Sequence, residues 1–184
     1  MIYFDNAATT GKKPESVIKA VDYALINLSA NPGRSGHILS VNASEMVYNT
    51  RKAAAEFFGS ENPEGVIFTL NCTQSVNTVF KGVLNASDHI IISDMEHNAV
   101  MRPLNKMGVK YTAVKVSMTN DDETIENIKN AIRPDTKMIF VTAASNVLGK
   151  KMPLLGIGKL AKENGLLFGV DAAQGAGVMD IDMK

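Results

Sequence analysis

The sequence predicts an α/β fold in which a mostly parallel sheet carries helices on both faces. Three observations predict it. Short runs of β-branched and apolar residues recur from Val66 onward, and stretches with apolar side chains at helical spacing lie between them. Glycines and helix-capping residues mark several of the exchanges. Finally, Leu166 to Val170 is apolar without alternation, as in a strand covered on both faces, and Asp171 follows it at once. An acid at the carboxyl end of a buried parallel strand faces the crevice where open α/β sheets bind ligands. A turn or helix-capping aspartate is the other reading of the same residue.

The elements follow in order. Ile2 to Thr10 is a short extended piece running into small residues and Gly11. Pro14–Ser29 spaces Val17, Val21, Ala24, Leu25 and Leu28 as a helix, with proline in the first turn. Asn31 to His37 is a turn-rich loop whose Arg34 and His37 suit either an anion or a plain surface. A second helix spans about Asn42–Phe58 and stops at Gly59. Strands are predicted at Val66–Leu70, His89–Ser93, Tyr111–Val116, Lys137–Val141 and Leu166–Val170. Helices are predicted at Gln74–Leu84, Asn98–Met107, Asp122–Ile132 and Leu154–Asn164. Repeated βαβ units require right-handed crossovers and helices on both faces. Residues 1–60 read as an N-terminal segment with helices, and 61–184 as part of a larger domain.

Composition narrows the function classes. Nineteen basic and nineteen acidic side chains leave no net charge, so no long-range field draws nucleic acid or an anionic membrane. The single cysteine, Cys72, excludes an internal disulfide and a multi-cysteine metal site, and it fits a reducing cytoplasm. No apolar run reaches membrane-spanning length and no secretory signal pattern opens the chain. A cytoplasmic protein with no metal, nucleic-acid or membrane partner is expected.

In a parallel sheet, whatever follows each strand converges on one rim. After Val66–Leu70 comes Asn71-Cys72-Thr73-Gln74-Ser75 at a helix start, where free amides and hydroxyls make a phosphate cradle, unless Thr73 only caps the helix. After His89–Ser93 comes Glu96-His97-Asn98, whose imidazole can stack on a planar ligand or move a proton, unless it is a polar surface residue. Asn146 follows Lys137–Val141 in a loop ending at Gly149, and Gln174 lies three residues past Asp171. His89 sits at the opposite rim and is given no role. No dinucleotide fingerprint and no P-loop lysine motif occurs. A ligand with one phosphate, a flat ring, a ring nitrogen that wants an anion, and a hydroxyl is pyridoxal phosphate.

Five segments resemble, in order, the N-terminal part of class V aminotransferase-type, fold-type I pyridoxal-phosphate enzymes, most of all cysteine desulfurases and selenocysteine lyases. They are Tyr3 to Thr10, Phe68 to Ser75, Glu96 to Val100, Ser145 to Gly149 and Val170 to Gln174. The resemblance implies the three-layer large domain of that fold, here incomplete, with pyridoxal 5'-phosphate as cofactor. It implies that Thr73, with the backbone at Cys72, holds the phosphate and that His97, the catalytic candidate, stacks over the ring. It further implies that Asp171 pairs with the ring nitrogen, and that Asn146 and Gln174 bond the ring hydroxyl region or substrate. Cys72 takes the place of a small residue behind the phosphate and is expected to be a packed, partly buried thiol rather than a sulfur-accepting nucleophile.

The resemblance also implies an amino-acid substrate, cysteine or selenocysteine, a homodimer and a sulfur-acceptor protein. The family's Ser/Thr-x-His-Lys segment, its substrate-carboxylate arginine and its persulfide-forming cysteine loop have no counterpart in these 184 residues. Lys150 and Lys151 read as solvated charges, and the chain by itself is expected to be inactive. The alternatives are another class V enzyme, such as an aminotransferase, kynureninase or epimerase, or a non-catalytic remnant of the fold.

In the family's strand order, 1-7-6-5-4-2-3, Val66–Leu70 would stand three strand spacings, about 14 Å, from Leu166–Val170, with two strands that this chain does not carry between them. It should therefore shift beside Leu166–Val170, meet a second chain, or belong with the rest of a longer protein. Pairing of Val66–Leu70 with Lys137–Val141 would contradict that strand order.

Overall fold

His89–Ser93 forms β1, and every one of its residues is buried, as a central strand with helices on both faces requires. The computed structural model describes residues 2–183. In it β1 pairs in parallel with β2, Lys110–Val114, on one side and β3, Thr136–Thr142, on the other. Strand β4, Leu167–Asp171, pairs in parallel with β3, so the sheet order is β2-β1-β3-β4. These strands sit in the order the resemblance implies.

Alternate side chains of β1 and β3 face opposite layers. Ile90, Ile92, Met138 and Phe140 pack with Val76, Phe80, Val100 and Leu104. These last four come from α3, Cys72–Val83, and α4, Asn98–Met107. On the other face Ile91, Ile139 and Val141 pack with Ile128, Ile157 and Leu160. Those belong to α5, Asp121–Asn130, and α6, Leu154–Glu163. Each fully buried isoleucine contributes roughly 2 kcal/mol of transfer free energy. Phe80 meets Phe140 edge-on with ring centroids 4.9 Å apart. Gly169 of β4 makes this packing fit, because a Cβ there would lie 2.5 Å from both Phe140 Cδ2 and Met138 Cε. Gly108 and Gly165 follow α4 and α6 with φ of 67° and 65°, a left-handed conformation that glycine adopts without strain.

His89, at the opposite rim, is a tie between strands. Its ring nitrogens lie 2.8 Å from Thr136 Oγ1 and 2.9 Å from Thr112 Oγ1, and burial holds its pKa below the usual histidine value.

Two expectations change. Val66–Leu70 forms no strand: it pairs with none of the four, and Ile67, Phe68 and Leu70 are exposed. An apolar run becomes a strand only where a neighbour supplies its ladder, and β4 carries a ladder on its β3 side alone among the described residues. Leu166–Val170 is also less covered than its composition implies. The strand lies one residue later, Leu167 is exposed, and Asp171 is its last residue rather than its follower.

The chain divides into two compact units, one running to Phe68 together with the segment from Ile181, the other Thr69–Asp180. The sheet and its helices belong to the second. The first holds α1, Glu15–Asn27, and α2, Ile38–Phe57, followed by a 3-10 turn at Pro63–Gly65. Helix α1 has no buried residue, so its predicted apolar spacing meets no core here. Helix α2 begins four residues earlier than predicted because the ring of His37 caps it, Nδ1 accepting from the Ser40 amide at 3.2 Å. His37 is thus a helix cap, where the sequence left an anion contact open.

Candidate functional site

Helix α3 starts at Cys72 because Asn71 caps it, Oδ1 accepting from the Gln74 amide at 2.9 Å. The cap is therefore Asn71 and not Thr73, which leaves the Thr73 hydroxyl out of that task. At the first two positions of the helix, the Cys72 and Thr73 amides lack intrahelical acceptors and sit at the positive end of the helix dipole. His97 caps α4 in the same manner, Nδ1 accepting from the Ala99 amide at 3.1 Å. A nitrogen that accepts from an amide carries no proton, so the ring hydrogen belongs on Nε2.

Asp171 ends β4 and is 6 % exposed. Its Oδ1 accepts from the Ala173 amide at 2.9 Å and from the Cys72 thiol at 3.2 Å. The turn-capping role and the inward-facing role, separate readings in the sequence, thus coexist. Its backbone carbonyl accepts from the Ala143 amide at 2.8 Å, tying the loop after β3 to the tip of β4. That loop is a tight excursion: Ser145 Oγ accepts from the Val147 and Leu148 amides, and Gly149 closes back on the Ser145 carbonyl. Asn146 stands exposed within it.

Cys72, Thr73, His97, Asn146, Asp171 and Gln174 come together around one hollow of about 180 Å³, which Ala99, Thr142, Ala144 and Ala173 complete. All six candidates named from the sequence are in it, drawn from the starts of α3 and α4 and the ends of β3 and β4. No lysine lines it. Among the described residues no cluster of three His, Cys, Asp or Glu side chains is placed to hold a metal ion.

Two local expectations are corrected. Cys72 is exposed, not packed, because the helix start on which it sits opens onto the hollow. Desolvation around its sulfur and the Asp171 carboxylate nevertheless push its pKa up to about 11, so at neutral pH it is a thiol that donates to Asp171. Lys150 is no solvated charge either: its ammonium is 2.7 Å from Asp121 Oδ1 at the start of α5, and its side chain is only 14 % exposed.

Sequence reasoning missed Glu96. Its Oε1 accepts from the Ser93 hydroxyl and, at 2.8 Å, from the Thr142 amide, while Oε2 is buried without a hydrogen-bond partner. Burial, reinforced by Asp171, pushes its pKa up to about 7 against the lowering effect of those bonds. The acid at the strand exit was visible in the sequence; that it turns inward was not.

The comparisons bear on this arrangement. The family described as Aminotransferase class-V matches residues 2–184. A probable cysteine desulfurase of Borreliella burgdorferi is 33 % identical over the whole chain, which covers 45 % of that relative. The cysteine desulfurase IscS of Methanosarcina thermophila is 35 % identical, again over the whole chain and 46 % of its own length. Among solved structures, the apo cysteine desulfurase of Thermococcus onnurineus NA1 superposes with a TM-score of 0.85 at 32 % identity, over 98 % of this chain and 46 % of that one. SspA in complex with cysteine superposes with a TM-score of 0.87 at 28 % identity, over 99 % and 53 %. The chain spans about half the length of the curated relatives it matches.

Proposed function

Because the chain belongs to the class-V aminotransferase family, we propose that it is the cofactor-binding part of a pyridoxal 5'-phosphate-dependent cysteine desulfurase. The observation that carries the reading is the hollow itself: a buried carboxylate, an imidazole and a hydroxyl at a helix start line one cavity. These groups fit the cofactor's ring nitrogen, ring face and phosphate. When bound, pyridoxal phosphate supplies an electron sink for a carbanion formed on an amino acid.

The chain's own residues do the rest. Thr73 Oγ1, with the Cys72 and Thr73 amides, meets the phosphate, where the helix dipole favours negative charge. Asp171 holds a proton on the ring nitrogen, an interaction strengthened by its burial. His97 would lie against the ring face and would hold its Nε2 hydrogen toward the substrate side. Asn146 and Gln174 orient the ring hydroxyl region or the substrate. Cys72 donates its thiol hydrogen to Asp171 and serves as a neighbour of the acid, not as a nucleophile.

Cysteine is the substrate of this reading, in keeping with the cysteine bound to SspA. Selenocysteine, a homodimer, a sulfur-acceptor protein and a cytoplasmic location belong to the same proposal. So does the division into an N-terminal segment, 1–60, and a partial large domain, 61–184. No helix among the described residues is long and apolar enough to cross a membrane. With no lysine among the described residues that line the hollow, turnover is not expected from these residues alone.

The test is a titration of the chain with pyridoxal 5'-phosphate, followed by absorbance and by amide NMR shifts. Saturable binding that moves Thr73, His97 and Asp171 and weakens in Asp171→Ala is expected. Absence of saturable binding, or equal binding by the variant, overturns the reading. A band made permanent by borohydride would overturn the expectation that no lysine here bonds the cofactor.

A further inference from the structure

Glu96 is the acid of the rim that the roles above leave unused. It lies in the short link between β1 and α4, one residue before His97. Its Oε1 takes hydrogen bonds from two strands, the Ser93 hydroxyl at the end of β1 and the Thr142 amide at the end of β3. Its other oxygen is buried with no partner. Leaving a carboxyl oxygen in that condition is costly, and a glutamate in a link could have turned outward into water. Thr142 is also the register partner of Asp171 and lines the hollow. One side chain therefore joins the segment that carries His97 to the strand end beside Asp171.

We propose that Glu96 is a positioning residue of this site: its carboxyl clasps the ends of β1 and β3, sets His97 and Asp171 at their spacing, and releases its proton to solvent in exchange for a positive charge held against Asp171. The proton exchange rests on the pyridoxal-phosphate reading; the clasp does not.

The groups around Glu96 are few. From β1 and β3 it meets the uncharged Ser93 and Thr142, and from β4 it feels the Asp171 carboxylate. Asp94 and His97 share its link, Asp94 being engaged by the Val116 amide at 3.1 Å and His97 by that of Ala99. From α3, Cys72 binds Asp171 as a neutral thiol. Asp171 thus raises the cost of charging Glu96, and a cationic ring nitrogen paired with Asp171 removes that repulsion. Glu96 then loses its proton as the ligand enters, so affinity rises with pH up to about 7, the value to which its pKa is displaced, and levels off above it.

The experiment compares the 184-residue chain with Glu96→Ala and Glu96→Gln by amide NMR from pH 5 to 9, then by pyridoxal 5'-phosphate titration. In the wild type the Thr142 amide should titrate with a midpoint near 7. Glu96→Ala should abolish that titration and shift the His97 and Asp171 amides. Glu96→Gln should abolish the titration and leave those amides in place. For the cofactor, Glu96→Ala should bind about tenfold more weakly, and Glu96→Gln within about threefold of wild type at pH 6, without the wild-type gain from pH 5.5 to 7. The clasp is overturned if Glu96→Ala leaves His97 and Asp171 unmoved, and the proton exchange if Glu96→Gln keeps the wild-type pH dependence. Failure of the wild type to bind pyridoxal phosphate would overturn the cofactor reading and the proton exchange with it, while the amide shifts still decide the clasp.

Discussion

Replacing Glu96 by glutamine should change how stability depends on pH. Folding lifts this carboxyl from 4.5 to about 7, chiefly by desolvation. A group that binds its proton more tightly in the folded state contributes stability that is fully present below its unfolded pKa. That contribution is lost as pH rises through the folded pKa. At about 1.4 kcal/mol for each pH unit, the loss reaches up to about 3 kcal/mol between pH 4 and pH 8. Glutamine keeps an acceptor oxygen for Thr142 and has nothing to titrate. The difference between variant and wild type should open by about 3 kcal/mol over that interval, whatever fixed offset the buried amide introduces. For a domain of this size that is about 6–12 °C in melting temperature. Far-UV circular dichroism melts at pH 4, 5, 6, 7 and 8 read it directly. Parallel melting curves for the two proteins would refute the reasoning, since they would mean the carboxyl is hydrated in the folded chain.

Gly169→Ala should cost about 1–3 kcal/mol in urea unfolding, because its Cβ would press into Phe140 and Met138; an unchanged midpoint would mean Phe140 has room to turn. Phe80→Ala, at a fully buried ring, should cost about 3–5 kcal/mol by the same assay. With its pKa near 11, exposed Cys72 should be about 0.1 % thiolate at pH 8 and react sluggishly with iodoacetamide, the rate climbing about tenfold per pH unit towards 11. In Asp171→Asn that rise should begin at lower pH, which a rate profile by mass spectrometry would show.

Most of the sheet was legible because its central strands carry the signal in themselves. Ile90–Ile92 and Met138–Val141 are apolar runs that the structure buries on both faces. Val66–Leu70 has the same composition and fails, because a strand also needs a neighbour and composition says nothing about which one. At the rim, residue types pointed to Thr73, His97, Asn146 and Asp171; strand parallelism gathers His97, Asn146 and the β4 tip at Asp171 on one side, whereas Thr73 arrives there on the start of α3 without the strand predicted before it. Which group caps α3 and whether Cys72 faces solvent were not legible, since Asn71 and Thr73 are both good caps and the difference is one residue of helix phase. Glu96 was hidden for a similar reason. Glutamate in a link reads as solvated, and only the fold brings the Thr142 amide to it.

The amide of Ala99, by occupying one lone pair of the imidazole at position 97, makes the first turn of α4 the keeper of that ring. Turning the ring away would release that amide and cost the helix its cap, about 1 kcal/mol, so the imidazole is held in one orientation with Nε2 directed away from the helix. The flat wall of the cavity is consequently built by the backbone in advance, and a visitor finds it already standing.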